Sequence, residues 1–235
     1  MIAAAARLAC ALLVVSSAGC DDGATLPAVA RGRQVFADPD FSGSQFNVFS
    51  CATCHPSSPG VAPGPALNLA GAVDRERWWN GEMTSLYDAA NFCWRYFMRG
   101  FPAIDPADDD ARALFEYLDA LGTGEPAPTA RYTVVEQLVD PGAGDAGEGE
   151  AVWDHLCRVC HGDAQTGEGR LGPDVSTVPG ASQAIAIELG VDARLVVIEK
   201  IRHGQFFGVG GNMPFYPLEV LDDDALADLL AFLDP

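Results

Sequence analysis

Two copies of the pentapeptide Cys-x-x-Cys-His constrain this chain more than any other feature. The residues are Cys51 and Cys54 with His55, and Cys157 and Cys160 with His161. This spacing is typical of covalent haem attachment, in which two thiols form thioethers with the porphyrin and the adjoining His ligates the iron. A bare Cys-x-x-Cys also serves zinc sites and dithiol redox centres, but a His directly after both copies argues against each. The sequence therefore predicts two c-type haems.

The N-terminus has the pattern of a secretory signal. Arg7 supplies a weak positive region, and residues 8–18 form an apolar stretch too short to cross a bilayer. The stretch ends in Ser-Ala-Gly-Cys at 17–20, which resembles a bacterial lipobox and implies cleavage before Cys20 and acylation of that residue. An ordinary signal peptide with a Cys near its cleavage site is the alternative. We expect an exported, membrane-anchored lipoprotein of the periplasm or cell envelope.

The cysteine count leaves no pair for an internal disulfide. Of seven cysteines, Cys10 would leave with the signal, Cys20 would take lipid, and four would take haem. Cys93 alone remains, although the predicted compartment permits disulfides.

The net charge of −19 indicates which partners suit the chain. Nucleic acid is implausible because phosphate backbones repel such a surface. A basic redox partner would be attracted by the same field, although solubility explains the charge equally well.

The composition divides the chain into two similar halves. We predict a signal peptide (1–19), a tether (20–30), a first domain (31–121), a linker (122–146) and a second domain (147–235). The linker is rich in Gly, Pro, Ala and acidic residues, and its β-prone piece 132–135 is expected to pack on one domain. Each half begins with a Gly followed four residues later by an aromatic residue, and ends with an amphipathic helical pattern.

With these features the chain resembles a tandem of class I c-type cytochrome domains. The resemblance covers roughly residues 31–235 and implies an all-α fold, in which N- and C-terminal helices cross and each domain wraps one covalent haem. The helical periodicity of the closing segments independently favours the all-α class.

The predicted axial ligand opposite His161 is Met213. Asn212, Met213 and Pro214 match the Met-Pro ligand motif of the family that the chain resembles. A thioether ligand raises the haem potential. His203 is the rival ligand.

The first half offers Met98, Met83 and Cys93 as candidate axial ligands. Met98 precedes the aromatic Tyr117 of the closing helix by the same number of residues as Met213 precedes Phe232. We therefore predict Met98, although it lacks the following Pro.

Cys93 belongs to an apolar helical stripe, which favours a buried small residue. Thiolate ligation by Cys93 is the alternative. The other members of the stripe are Leu86, Ala89, Ala90 and Phe97.

These residues predict an electron carrier rather than an enzyme. Six-coordinate haems leave no position for substrate, and no acid–base cluster accompanies the motifs. A dihaem peroxidase or thiosulfate-oxidising enzyme, and a haem subunit of a membrane oxidoreductase, are the alternative functions. Redox proteins are the expected partners, with the membrane reached through the lipid.

Overall fold

The computed structural model describes residues 27–57, 64–125, 127–204 and 213–235. The predicted signal peptide, the predicted lipid site Cys20 and Asn212 of the Met-Pro motif lie outside these ranges. Within them, helices are joined by turns, and two isolated β-bridges occur without any β-strand. The prediction of a helical fold is confirmed.

The described ranges contain four α-helices before the linker and five from residue 146 onward. The first set is α1 (Ala28–Ala37), α2 (Cys51–Cys54), α3 (Leu86–Tyr96) and α4 (Asp109–Ala120). The second set is α5 (Ala146–Val152), α6 (Arg158–His161), α7 (Gly180–Leu189), α8 (Ala193–His203) and α9 (Asp223–Leu233). Three 3₁₀ turns (Pro39–Ser42, Ala72–Asp74, Trp79–Gly81) and one π-helical turn (Trp153–Cys157) complete the helical segments. None of the helices in these ranges is long and apolar enough to cross a membrane.

Two helix crossings, α1 on α4 and α5 on α9, depend on glycine. A Cβ atom placed on Gly32 would lie 1.9 Å from the carbonyl oxygen of Ala113, and one placed on Gly149 would lie 2.0 Å from that of Asp228. No larger residue permits backbones to approach so closely. This contact is the physical reason for the glycine that begins each half.

The aromatic residue that follows each glycine packs against the closing helix. The ring centroids of Phe36 and Tyr117 are 5.3 Å apart, and those of Trp153 and Phe232 are 6.3 Å apart. The two halves therefore repeat both elements of the crossing.

Acidic residues begin both closing helices. The Asp108 carboxylate accepts hydrogen bonds from the backbone N–H groups of Asp110 (2.8 Å) and Ala111 (3.1 Å). Asp222 accepts one from Ala225 (2.8 Å). These contacts satisfy backbone donors that the first helical turn leaves unpaired.

The apolar stripe of α9 forms the centre of the hydrophobic core in the second half of the chain. Its leucines are at most 2% exposed: Leu226, Leu229, Leu230 and Leu233. The predicted helical face of this segment is confirmed.

The segment after the first half is bound to both halves rather than to one. The Asn80 side chain donates to the carbonyl oxygen of Tyr132 (2.7 Å). The backbone N–H of Thr133 donates to the Glu219 carboxylate (2.6 Å), and the Arg194 guanidinium donates to Asp140 (2.8 Å). Residues 132–135 therefore differ from the expected packing on a single domain, because polar side chains from both sides bind their backbone.

Candidate haem-binding sites

The first Cys-x-x-Cys-His motif forms a one-turn helix with reciprocal capping. The backbone N–H of Thr53 donates to Ser50 Oγ (3.2 Å), and the backbone N–H of Ser50 donates to Thr53 Oγ1 (3.0 Å). This capping box stabilises a helix that is otherwise too short to persist. It places Cys51, Cys54 and His55 in the wall of one cavity.

His55 is oriented by a backbone carbonyl. Its Nδ1 lies 2.8 Å from the carbonyl oxygen of Leu67. Burial lowers the pKa of His55, and the charge of Arg75 lowers it further, so the ring is neutral at pH 7. A neutral ring that donates from Nδ1 keeps the lone pair of Nε2 for a metal.

The second motif repeats this arrangement on a different local backbone. A π-helical turn (Trp153–Cys157) leads into α6, and Trp153 Nε1–H donates to the carbonyl oxygen of Gly162 (3.1 Å). His161 Nδ1 lies 2.9 Å from the carbonyl oxygen of Ser176. Burial lowers the pKa of His161 as well. Both histidines are therefore prepared to ligate through Nε2.

All four motif thiols are protonated at neutral pH. The two motifs also lie near each other. Burial raises the pKa of Cys51 to about 11 and that of Cys157 to about 12. Burial raises the pKa of Cys54 too, and the charges of Cys160, Cys93 and Cys51 raise it further. Because Cys160 belongs to the other motif, the two motifs lie within electrostatic reach of one another.

A large apolar cavity adjoins the first motif. It measures about 1460 Å³ with its solvent-open part included. Every residue of the predicted helical stripe lies in the wall of this cavity: Leu86, Ala89, Ala90, Cys93 and Phe97. The stripe therefore borders an apolar space that is partly open to solvent, while Leu86 and Ala90 also pack against buried core residues.

Met98 and Cys93 both lie in this wall, whereas Met83 is not among its residues. Met98 is 5% exposed, and its backbone N–H donates to the carbonyl oxygen of Cys93 (3.1 Å). Ligation by Met98 stays a prediction, and Cys93 is its neighbour on the same wall.

A buried side-chain donor in the described part of the cavity wall indicates what kind of group the space could bind. Trp78 Nε1 is buried and has no hydrogen-bond partner in the described part of the chain. The partly buried guanidinium of Arg75 borders the same cavity and donates to the carbonyl oxygen of Asn68 (2.9 Å). A buried donor without an acceptor is costly, so a bound carboxylate would stabilise it. Haem carries two propionates, and the residues present fit it. The sequence patterns did not identify Arg75.

The segment that carries Met213 is held by contacts that the sequence did not reveal. The backbone N–H of Tyr216 donates to the carbonyl oxygen of Ile201 (2.8 Å), and its hydroxyl donates to that of Leu156 (3.1 Å). The Arg202 guanidinium donates to the carbonyl oxygen of Tyr216 (3.1 Å). Arg202 and Tyr216 therefore position the backbone that follows Met213.

His203, the rival ligand, has both ring nitrogens engaged. Nδ1 lies 3.0 Å from the Glu199 carboxylate, and Nε2 lies 2.5 Å from the carbonyl oxygen of Val135. Its role here is to bind the segment between the halves.

The second half has a family match. Residues 144–233 match the family model described as cytochrome c oxidase, cbb3-type, subunit III. The match supports a c-type cytochrome. A cytochrome c domain implies covalently bound haem c, and the matched range contains Cys157, Cys160, His161 and Met213. No curated protein matches the chain.

The first motif lies outside the range of this cytochrome match. Within the described ranges, no three His, Cys, Asp or Glu side chains come together as a metal-binding group.

Proposed function

We propose that this protein is an exported electron carrier with two covalently attached haems. Cys51 and Cys54 hold one haem with His55 and Met98 as axial ligands. The second haem is held by Cys157 and Cys160, with His161 and Met213 as axial ligands. Each haem supplies a one-electron couple between ferrous and ferric iron when bound.

The observation that carries the proposal is the repetition of one geometry. In both halves a cysteine pair is followed by a neutral histidine whose Nδ1 is bound by a backbone carbonyl. In both halves a glycine lets the first and last helices cross. The family match covers only the second half of the chain. Because the first half has the same geometry, we extend the assignment to a second haem.

The chain's own residues orient the ligands and exclude water. The carbonyl oxygens of Leu67 and Ser176 fix the two imidazoles, which reduces reorganisation when the charge on the iron changes. The apolar wall of the first cavity excludes water, which favours the less charged ferrous state. The acidic surface attracts a basic redox partner.

The envelope location belongs to the same proposal. Acylation of Cys20 would hold the protein on a membrane surface, since several acyl chains on one residue bind firmly. The partners are then redox proteins of that compartment, and nucleic acid is not among them.

The mass of the mature protein tests the proposal. We expect expression in a host competent for cytochrome maturation to give a chain carrying two haems. The double variant Cys51→Ser/Cys54→Ser should lose one haem, and Cys157→Ser/Cys160→Ser the other. Cys93→Ser is the matched control and should keep both. A wild-type mass with no haem on either motif would overturn the assignment.

The lipid anchor has its own test. Cys20→Ser should move the protein from the membrane fraction to the soluble fraction without changing its haem content. A wild-type protein that is already soluble would contradict the anchor only.

A dihaem enzyme is the second candidate, and the position of Cys93 favours it. Cys93 lines the first cavity beside Met98, so a thiolate could replace the thioether. A high-spin ferric spectrum, or turnover of peroxide or thiosulfate, would support the enzyme. The third candidate, a haem subunit of a membrane oxidoreductase, is favoured by the name of the matched family, and co-purification with a larger complex would support it.

A further inference from the structure

The loop between α3 and α4 exposes apolar side chains on the surface of the first half. Phe101 is 80% exposed, and Pro102 and Ala103 beside it are exposed as well. Tyr96, at the end of α3, is 65% exposed. Single exposed apolar side chains are common on folded proteins, whereas a group of them is typical of an interaction surface.

Buried side chains hold this loop in one conformation. The indole N–H of Trp94 donates to the carbonyl oxygen of Pro102 (2.9 Å), and the backbone N–H of Gly100 donates to that of Trp94 (2.8 Å). The backbone N–H of Ile104 donates to Asn91 Oδ1 (2.8 Å). Trp94 and Asn91 are both buried. A loop that is fixed before binding loses little conformational freedom on association, so it is preorganised for a partner.

Charges of opposite sign come before and after the loop. Arg95 and Arg99 precede it and are exposed, and the Arg95 guanidinium lies 6.0 Å from the centre of the Phe101 ring. No acidic residue occurs between positions 89 and 104. Exposed carboxylates follow the loop: Asp105, Asp108 and Asp109. A cationic side and an acidic side therefore flank one apolar loop.

Packing brings the acidic side next to the loop. Ile104, at the end of the loop, belongs to one buried cluster with Trp94 and Ala111 of α4. The start of α4 therefore adjoins the loop. Arg112 pairs with Asp109 there, and the carboxylates of Asp105 and Asp108 keep this side negative.

We propose that the exposed residues of 95–109, here called the docking face, bind the docking face of a second copy of this chain. A two-fold axis through the loops places the cationic side of each copy opposite the acidic side of the other. The apolar loops meet at the centre. Charge complementarity favours a second copy as the occupant, because each copy supplies both signs. The inference does not depend on haem.

The net charge of −19 repels the copies at long range. At an ionic strength of about 0.15 M, however, exposed charges more than about 8 Å apart are largely screened. The charges within the docking face then decide whether the copies associate. The same screening sets the conditions under which the dimer is measured.

Sedimentation equilibrium of the full chain tests the proposal. Cys20→Ser is used so that acyl chains do not cause association. We expect a reversible monomer–dimer equilibrium at micromolar concentrations. A protein that remains a monomer at about 1 mM overturns the inference.

Exchanging the charges gives a sharper test. Arg95→Glu/Arg99→Glu and Asp105→Arg/Asp109→Arg each place like charges opposite one another, and each should weaken the dimer about tenfold or more. An equimolar mixture of the two variants should form a heterodimer as tightly as the wild type, because each altered side then meets a side of opposite sign. A mixture that stays monomeric contradicts the two-fold arrangement.

Two further variants separate the docking face from the rest of the surface. Phe101→Ser should weaken the dimer about tenfold, since it removes the apolar centre. Arg33→Glu/Arg170→Glu is the matched control: both residues are exposed and lie outside the face, and the variant has the same change in charge. It should dimerise like the wild type, and thermal unfolding checks that every variant is folded. Dissociation constants that are unchanged in Phe101→Ser and in both charge variants would assign the dimer to another surface and overturn the inference.

Discussion

The Arg202 guanidinium, which is 1% exposed, lies 2.7 Å from the carboxylate of Asp223 at the start of α9. The same guanidinium donates to the carbonyl oxygens of Tyr216 and Leu221. One buried cation therefore links α8, the segment after Met213 and the closing helix of the second half. Hydrogen bonds to a charged donor are stronger than neutral ones, which suits this role.

Arg202→Met should destabilise the protein markedly. The change leaves two buried carbonyls without a donor, and we expect a loss of about 2–4 kcal/mol in the free energy of unfolding. Denaturant unfolding measures it. The near-infrared band that Met-ligated ferric haem gives should weaken as well, because the Met213 backbone loses its support. Asp224→Asn, in the same helical turn, is the control and should cost less than about 1 kcal/mol.

Gly32→Ala and Gly149→Ala should each push two crossing helices apart, α1 from α4 and α5 from α9. A Cβ atom at either position would overlap the carbonyl of the facing helix, so we expect a loss of more than about 2 kcal/mol. Gly180→Ala is the control, since its nearest neighbour would be 3.9 Å away, and should change stability by no more than about 0.5 kcal/mol. Similar stabilities for all three variants in thermal unfolding would contradict the crossings.

The contacts of His203 predict how the stability of the protein depends on pH. Its hydrogen bond to the Glu199 side chain, with the Val135 carbonyl, raises the pKa of His203 in the folded state. The contribution to stability is therefore complete below the unfolded pKa of about 6.5 and is lost as pH rises through the higher folded value. The stability difference between the wild type and His203→Gln should be larger at about pH 5.5 than at about pH 8.5.

Glu199→Gln tests the origin of that effect. With the carboxylate replaced, the further change His203→Gln should show less pH dependence than it does in the wild-type background. An equal dependence in both backgrounds would assign the effect to another group.

Spectroscopy can test the two proposed axial methionines one at a time. Met98→Ala and Met213→Ala should each remove part of the near-infrared band of the oxidised protein and lower one of the two potentials. Met83→Ala is the control, because Met83 is not in the cavity wall, and should change neither. An unchanged spectrum in Met98→Ala would shift the first site to Cys93.

Features with a local or periodic signal were predictable from the sequence. The motifs, the acidic starts of α4 and α9, and the stripe of α3 each depend on spacing along the chain. The two crossing glycines repeat at matching positions for the same reason. Their structural role needed the facing carbonyls of Ala113 and Asp228.

Features set by long-range contacts were not predictable. Asn80 binds the backbone of Tyr132, which lies 52 positions further along the chain, and no sequence pattern in either segment indicates this contact. The buried Arg202 reads in sequence as one of several charges near the end of a helix. The N–H of Trp78, which has no acceptor among the described residues, has no local signal in the sequence, because its surroundings are set by the cavity beside it.

The segment between the halves has a consequence for how the molecule responds to damage. Its backbone is bound by Asn80 on one side and by Glu219 on the other, and Arg194 binds it again at Asp140. A protease cut at a peptide bond between 134 and 139 would leave each new end attached by these bonds. The nicked fragments should still migrate as one particle and separate only in denaturant.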